Sequence, residues 1–520
     1  MRVFGKLGLA LVCVPASVAL AHYTLPEDML FGTMRFQQQA VTAGQLKVEE
    51  LTSAYLDRIK AIDQAGPGLN SVLAIAPDAM DQARKVDGAK GALPLKGAVL
   101  VVKDNIDMAG GLPTTAGSRA LAKNLVTEDA HVLSRLRKAG AVIMGKTNLS
   151  EWANFRSTRS ISGWSSVGGQ TVNPHVLNRS ACGSSSGSGA AVAAGLASAA
   201  LGTETDGSVT CPAAVNGIVG FKPTVGLVSR SGIVPISASQ DTAGPMTRSV
   251  HDAALLMSVM AGRDESDPGT QAIPADFDFD FPGQLSVTAL EGKRLGVISG
   301  YVSSPEMEKT FARARQVLEA SGATIVEVEL PNENELGDDE YLVLLVEFKA
   351  GLNAYLESHQ RPGQASSLEE LIAFNEANAE TVMPRFGQEI FILAQEQAGL
   401  DDADYLAARE RSQRLAGPEG IDAVMAEHRL DGLIAPTWDP SWIIDPVNGD
   451  SGSGGPGGAP AVAGYPHLTV PMGMISGLPV GLSFIGGRFE DGKILALGYA
   501  YEIRSHEAQR PAYIPEVPYR

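Results

Sequence analysis

Cysteine and histidine are scarce in this chain, at 3 and 8 of 520 residues. The histidines are scattered, and no Cys/His cluster has metal-ligand spacing, so neither a metal nor a cofactor is expected. Cys13 falls in an N-terminal apolar run, which leaves Cys182 and Cys211 as an even pair. In an oxidising compartment such a pair permits one disulfide. Both lie in loops of small residues, however, and buried packing is the favoured reading. Basic charge is also short: 41 Lys and Arg face 59 Asp and Glu, a formal net charge of −18. With no Lys/Arg-rich block to offset it, this balance excludes nucleic acid as a partner. Internal repeats are missing, and so is any linker that cleanly divides the chain. At 44% hydrophobic and 19% charged, the composition is that of a globular protein with a large core.

Long hydrophobic runs are confined to the beginning. Arg2 and Lys6 precede an apolar stretch over 7–20, and Ala19-Leu20-Ala21 is a small-x-small pattern ahead of His22. This reads as a secretory signal peptide over 1–21. Its apolar part is about 15 residues, short of the roughly 20 that a membrane span needs. The expectation is a cleaved, exported chain, periplasmic or secreted, with no stable membrane insertion. Residues 22–520 read as a single domain.

Periodicity gives an α/β pattern. An amphipathic helix is expected over 49–62, a buried strand over 97–102 ending at Lys103, a helix over 130–139 stopped by Gly140, and a second buried strand over 141–144. A helix of Ala, Gly, Val and Leu is expected over 188–200; a helix apolar all round is a buried one. Further short strands are expected over 218–222, 232–236, 295–299, 433–436, 467–470 and 481–485, with helices over 249–261 and 492–503. The stretch 306–425 reads as mostly helical, making roughly 300–430 a helical cap or insertion. Residues 451–464 read as a Gly/Pro/Ala-rich loop.

Three segments carry chemistry. Val-Val-Lys-Asp-Asn-Ile (101–106) places a lysine at the end of an apolar run. Held in a dry site, such a lysine can lose its proton near neutral pH and act as a base. Gly-Ser-Ser-Ser-Gly-Ser-Gly (183–189) could be a flexible linker, but it runs straight into a buried helix and so reads as a loop at a helix N-terminus. Thr-Glu-Thr-Asp-Gly-Ser-Val (203–209) holds a serine just after Asp206-Gly207, a turn pair. The same turn would aim successive backbone N–H groups at one point, as an oxyanion hole requires. A lysine and two serines suffice for acyl transfer: nucleophile, relay hydroxyl and base.

Together these segments resemble the amidase-signature hydrolases. Residues 179–188 align on that family's Ser/Gly loop. Residues 202–208 and Pro212-Ala213-Ala214 align on its nucleophile stretch, with Ser184 and Ser208 24 residues apart. The likeness continues through Gly220-Phe-Lys-Pro-Thr224 and Asp241-Thr-Ala-Gly-Pro-Met246, and returns near 463–482. It implies an α/β/α sandwich with a central mixed sheet. It also implies Ser208 as nucleophile, Ser184 as relay after a cis bond from Gly183, and Lys103 as base. Ser185 would help hold Lys103, and the N–H groups of Thr205, Asp206, Gly207 and Ser208 would form the oxyanion hole.

The chain departs from the family pattern at Cys182 and Ser186, which replace loop glycines, and at Asp206, which replaces the first glycine before the nucleophile. These departures, with residues 347–356 and 464–472, look most like peptide amidases, which remove the C-terminal amide of peptides. Asp206 is a candidate for binding substrate, although a turn-forming aspartate bonded only within its own loop fits equally well. The expected activity is hydrolysis of a carboxamide to acid and ammonia through a Ser-Ser-Lys triad, on a peptide amide. The alternatives are a small-molecule amidase or esterase, an inactive peptide-binding relative and a component of a tRNA amidotransferase.

Overall fold

Eleven strands form one mixed sheet in the computed structural model, which describes residues 25–359, 364–452 and 454–518. In chain order they are β1 (Val72–Ile75), β2 (Val99–Lys103), β3 (Val142–Thr147), β4 (Ala199–Glu204), β5 (Val219–Lys222) and β6 (Thr242–Thr247). The rest are β7 (Arg294–Ile298), β8 (Thr324–Val328), β9 (Gly432–Pro436), β10 (His467–Ile475) and β11 (Leu478–Ile485). Their order across the sheet is β1-β3-β2-β4-β6-β5-β10-β11-β9-β7-β8. The fold is α/β. The proposed signal segment over 1–21 lies outside the described residues.

Two of the central strands, β2 and β3, follow from the sequence. Every residue of β2, β3 and β4 is buried, as the apolar runs of β2 and β3 imply when both faces of a sheet are covered. The helix His131–Lys138 carries the chain from β2 to the parallel strand β3, and Gly140, at φ +96°, closes it in the left-handed region that glycine tolerates. β2 also runs parallel to β4, with Val102 opposite Leu201.

Four helices matter for the site: α1 (Ser186–Ala193), α2 (Thr210–Val215), α3 (Gly337–Ser358) and α4 (Ala403–Ala416). α1 is buried at every residue, as its small-residue composition implies. Gly202 lets it approach the sheet: a Cβ there would meet the Ser185 hydroxyl at 2.7 Å and the Met246 sulfur at 2.9 Å.

The structure corrects several expected elements. The helix expected over 188–200 ends at Ala193; Gly195 turns the chain at φ +65°, and Ala199 and Ala200 join β4, where ladders to β2 and β6 hold them. Residues 232–236 form a loop with a single bridge, Ile106 to Ile233, because Pro235 has no N–H to give a ladder. The expected loop over 451–464 contains a short helix, Gly458–Ala463. The expected helical stretch over 306–425 contains β8, which extends the sheet edge in parallel with β7. Among the described residues no helix is long and apolar enough to cross a membrane.

Candidate active site

β2 delivers Lys103 beside the end of β4, and the parallel register brings its side chain to Thr203. The Lys103 Nζ lies 2.8 Å from Ser184 Oγ, 2.8 Å from Thr203 Oγ1 and 3.1 Å from the Thr203 carbonyl. Asn105 Nδ2 donates to the same Thr203 hydroxyl at 2.9 Å, which fixes that acceptor in place. Lys103 is fully buried. Burial lowers its pKa to about 7, against the opposing pull of the Asp241 and Glu204 charges. A neutral amine has two N–H bonds and one lone pair. With both N–H groups spent on Thr203, the lone pair faces the Ser184 hydroxyl and can take its proton.

The Gly183–Ser184 peptide bond is cis, as the resemblance implied. Ser185 makes no hydrogen bond to Lys103 itself and supports it at one remove. Its hydroxyl bonds the backbone of Thr203 instead, donating to the carbonyl and accepting from the N–H, each at 3.2 Å. Ser185 thereby fixes the residue that holds the lysine. The Ser185 N–H donates to the Ser208 carbonyl at 3.2 Å, which joins the two serine loops directly.

Ser208 is 8% exposed, at the edge of the buried polar cluster. Gly207 takes φ +75°, a conformation that glycine adopts without cost. Glu204, unassigned from sequence, anchors the turn. One of its carboxylate oxygens accepts from the N–H groups of Val209 at 2.7 Å and Thr210 at 2.8 Å, at the start of α2. By contrast, among the described residues none is paired with the N–H of Asp206, Gly207 or Ser208. These donors are left for an incoming oxyanion. Thr205, which begins the stretch, donates its hydroxyl to Asp241 at 2.5 Å. Both acids were visible in the quoted motifs; the signal missed was a carboxylate beside a run of backbone donors.

Asp206 is exposed and has no hydrogen-bond partner among the described residues, so it is not a turn aspartate bonded only to its own loop. Residues from the 437–457 region stand over it in an open cleft: a Cβ on Gly457 would sit 3.4 Å from its Oδ1, and a Cβ on Gly207 would sit 3.5 Å from the Trp438 ring. Crowding by protein, then the negative charges of Glu340 and Glu204, push its carboxyl above the usual range, opposed by Lys222.

Cys182 and Cys211 are bonded, with Cα atoms 6.1 Å apart, which corrects the packing reading. Cys182 holds φ +55°, a left-handed position where the family pattern has glycine. The bond ties the loop before Ser184 to α2, just after Ser208.

A cavity of about 680 Å³ opens beside these loops. Thr203, Thr205 and Asp241 border it on the catalytic side, and Pro235, Ile236, Ala350 and Ala354 supply apolar wall.

The amidase family model matches residues 50–495. The chain belongs to the amidase family. It is 36% identical over 481 residues to a probable amidase of Arabidopsis thaliana, covering 90% of this chain and 89% of that one. It is 37% identical over 498 residues to a component of the glutamyl-tRNA(Gln) amidotransferase of Symbiobacterium thermophilum, covering 91% and 97%. Among solved structures, the native peptide amidase from Stenotrophomonas maltophilia is 49% identical, with a TM-score of 0.89 over 93% of this chain and 98% of that one. This amidase therefore hydrolyses amide C–N bonds.

Proposed function

We propose that the protein is an exported amidase that removes the C-terminal carboxamide of peptides through Ser208, Ser184 and Lys103. One observation carries the mechanism: a fully buried lysine, its pKa lowered to about 7 by that burial, 2.8 Å from the hydroxyl of Ser184. Ser208 Oγ attacks the amide carbonyl while its proton passes through Ser184 to neutral Lys103. The oxyanion that forms is received by N–H groups of the 205–208 turn; one such donor is worth about 3–4 kcal/mol in comparable sites. As the C–N bond breaks, the relay returns the proton to the leaving ammonia. Water, activated by the same relay, then cleaves the acyl-enzyme.

Three observations support the substrate and location. The peptide amidase of S. maltophilia is the more similar relative, at 49% identity against 37% for the amidotransferase component. The cavity beside Thr205 has room for the side chains that precede a C-terminal amide. The basic-then-apolar N-terminus and the Cys182–Cys211 bond both fit an oxidising compartment. Ammonia release from amidated peptides and from simple amides tests the substrate, and the expected result is preference for the peptides. Equal turnover of both sets makes the enzyme a general amidase. N-terminal sequencing of exported protein should begin within a few residues of His22; retained Met1 in a membrane fraction overturns the export reading.

A further inference from the structure

The cavity and the oxyanion turn share a wall, and that wall is held from the far side by α3. The loop from 236 to 241 closes on itself through Asp241, whose Oδ2 accepts from the N–H groups of Ile236 at 2.7 Å and Ser237 at 2.9 Å. Its other oxygen holds the Thr205 hydroxyl. Gln240 reaches the Thr205 carbonyl at 3.4 Å. The same loop is gripped by two carboxylates that stand seven residues apart on α3, and so on one helical face. Glu340 accepts from Gln240 at 2.8 Å. Glu347 accepts from Ser237 Oγ at 2.5 Å, from Ser239 N–H at 2.8 Å and Oγ at 2.6 Å, and from the Tyr405 hydroxyl of α4 at 2.7 Å. It is 3% exposed.

Four donors on one carboxylate fill its acceptor sites, and a carboxylate is the only side chain of that size that accepts four bonds and donates none. Glu347 therefore sets the position of the 236–241 loop relative to α3 and α4. The cavity lies in the same place: Ala350, Gly351 and Ala354 of α3 form one side, Pro235 and Ile236 the other. A group that fills it presses on α3 and on the loop at once.

We propose that Glu347 is a positioning residue that couples occupancy of this cavity to the placement of Thr205 at the oxyanion turn. The inference rests on the peptide-amide reading. A substrate long enough to fill the cavity fixes the α3–loop spacing, and through Asp241 and Gln240 fixes the turn that receives the oxyanion. A short amide, which leaves the cavity empty, is turned over on a looser turn. Remote binding is thereby expressed in kcat and not in KM alone.

The test compares wild type with Glu347→Gln, Glu347→Asp and Ser239→Ala on an amino-acid amide and on a tripeptide amide, with thermal melts as a check on folding. The Gln variant cannot accept all four donors, whereas the Asp variant keeps the acceptor chemistry. Wild type should show the higher kcat on the tripeptide amide. Glu347→Gln should shrink the ratio of the two kcat values by about tenfold, the equivalent of about 1.4 kcal/mol. Ser239→Ala should shrink it less, and Glu347→Asp should restore part of it. An equal proportional loss on both substrates, or a loss confined to KM, makes Glu347 merely structural and overturns the inference. If Glu347→Gln fails to fold, Ser239→Ala decides by the same ratio. Wild type that releases ammonia from the amino-acid amide but not from the tripeptide amide overturns the substrate reading, and this inference with it.

Discussion

The two sides of the cavity are built on different terms. On the sheet side, Lys103, Ser184, Ser185, Thr203 and Glu204 are buried and bonded to one another or to adjacent backbone. An unsatisfied polar group there costs about 1–3 kcal/mol, so each residue fixes the next. On the side of α3 and α4, the small residues Ala350, Gly351 and Ala354 share the wall with Glu347, Tyr405 and Arg409, and Glu347 also holds the 236–241 loop. The rigid side suits bond making, which needs one geometry; the second side suits selection, which needs a surface that can differ among substrates. Substitutions on the first side should therefore abolish turnover of every amide, and those on the second should change which amide is preferred.

The sharpest test of that division is Ser208→Ala. Covalent labelling by a fluorophosphonate should vanish, and turnover should fall by about 10⁴-fold or more, as when a nucleophile is removed from comparable units. Lys103→Ala and Ser184→Ala should each fall severely, and the double variant no further than the worse single one, because the relay acts as a unit. Near-normal turnover by Lys103→Ala at pH 7 breaks the mechanism.

The disulfide offers the next largest effect. It closes a loop across 29 positions of sequence between the two serine loops. A cross-link of that span contributes about 3–4 kcal/mol. The Cys182→Ser/Cys211→Ser variant should melt well below wild type, and reductant should lower the wild-type midpoint only. Equal midpoints for the two proteins under oxidising conditions remove the bond as a stabilising element.

The pH profile comes third. Lys103, lowered to about 7 by burial, must be neutral to accept a proton. The rate should therefore hold above neutrality and fall as pH drops through about 7, by about tenfold per unit where the protonated form dominates. The midpoint belongs to the coupled Lys-Ser-Ser system, not to one side chain. A flat profile from pH 5 to 8 contradicts a lysine base.

The same contrast explains what the sequence made legible. The catalytic side could be read because its constraints are local. The unbroken apolar run before Lys103, the all-small helix after Ser184 and the Asp206-Gly207 turn each show in a short window. What failed was long-range. The motif sets Ser185 near Lys103, but that it acts through Thr203 depends on the ladder between β2 and β4. The Cys182–Cys211 bond depends on how two loops meet across the sheet. β8 is hidden in a helical stretch because an edge strand with four residues part-exposed or fully exposed in succession carries little apolar signal. Glu347 stood in a motif that marked the subgroup, but its role depends on Ser237, Ser239 and Tyr405, which no spacing rule connects to it.

The smallest predicted effect lies where the two sides meet. Asp206 follows Thr205, and its pKa is raised by crowding, then by Glu340 of α3 and by Glu204 of β4. A raised carboxyl pKa means a group that is partly neutral near pH 7 and gains charge as pH rises. The acid product carries a carboxylate where the substrate carried a neutral amide, so repulsion from Asp206 should weaken product binding progressively with pH. Asp206→Asn keeps the turn chemistry and removes the charge. The two proteins should show similar inhibition by the acid product at low pH. At alkaline pH the variant should bind that product several-fold more tightly, since one unit-charge contact at 4 Å is worth about 1 kcal/mol in water. The gap should narrow with added salt, because the cleft is open to solvent and its charges are screened. The KM for the neutral amide should move little. Glu340, Glu204, Lys222 and Tyr301, whose phenol also faces the Asp206 charge, remain in both proteins, so their titration alone cannot create the difference. Parallel inhibition curves across the whole pH range would remove Asp206 from this discrimination, and leave it to the cavity on the α3 side.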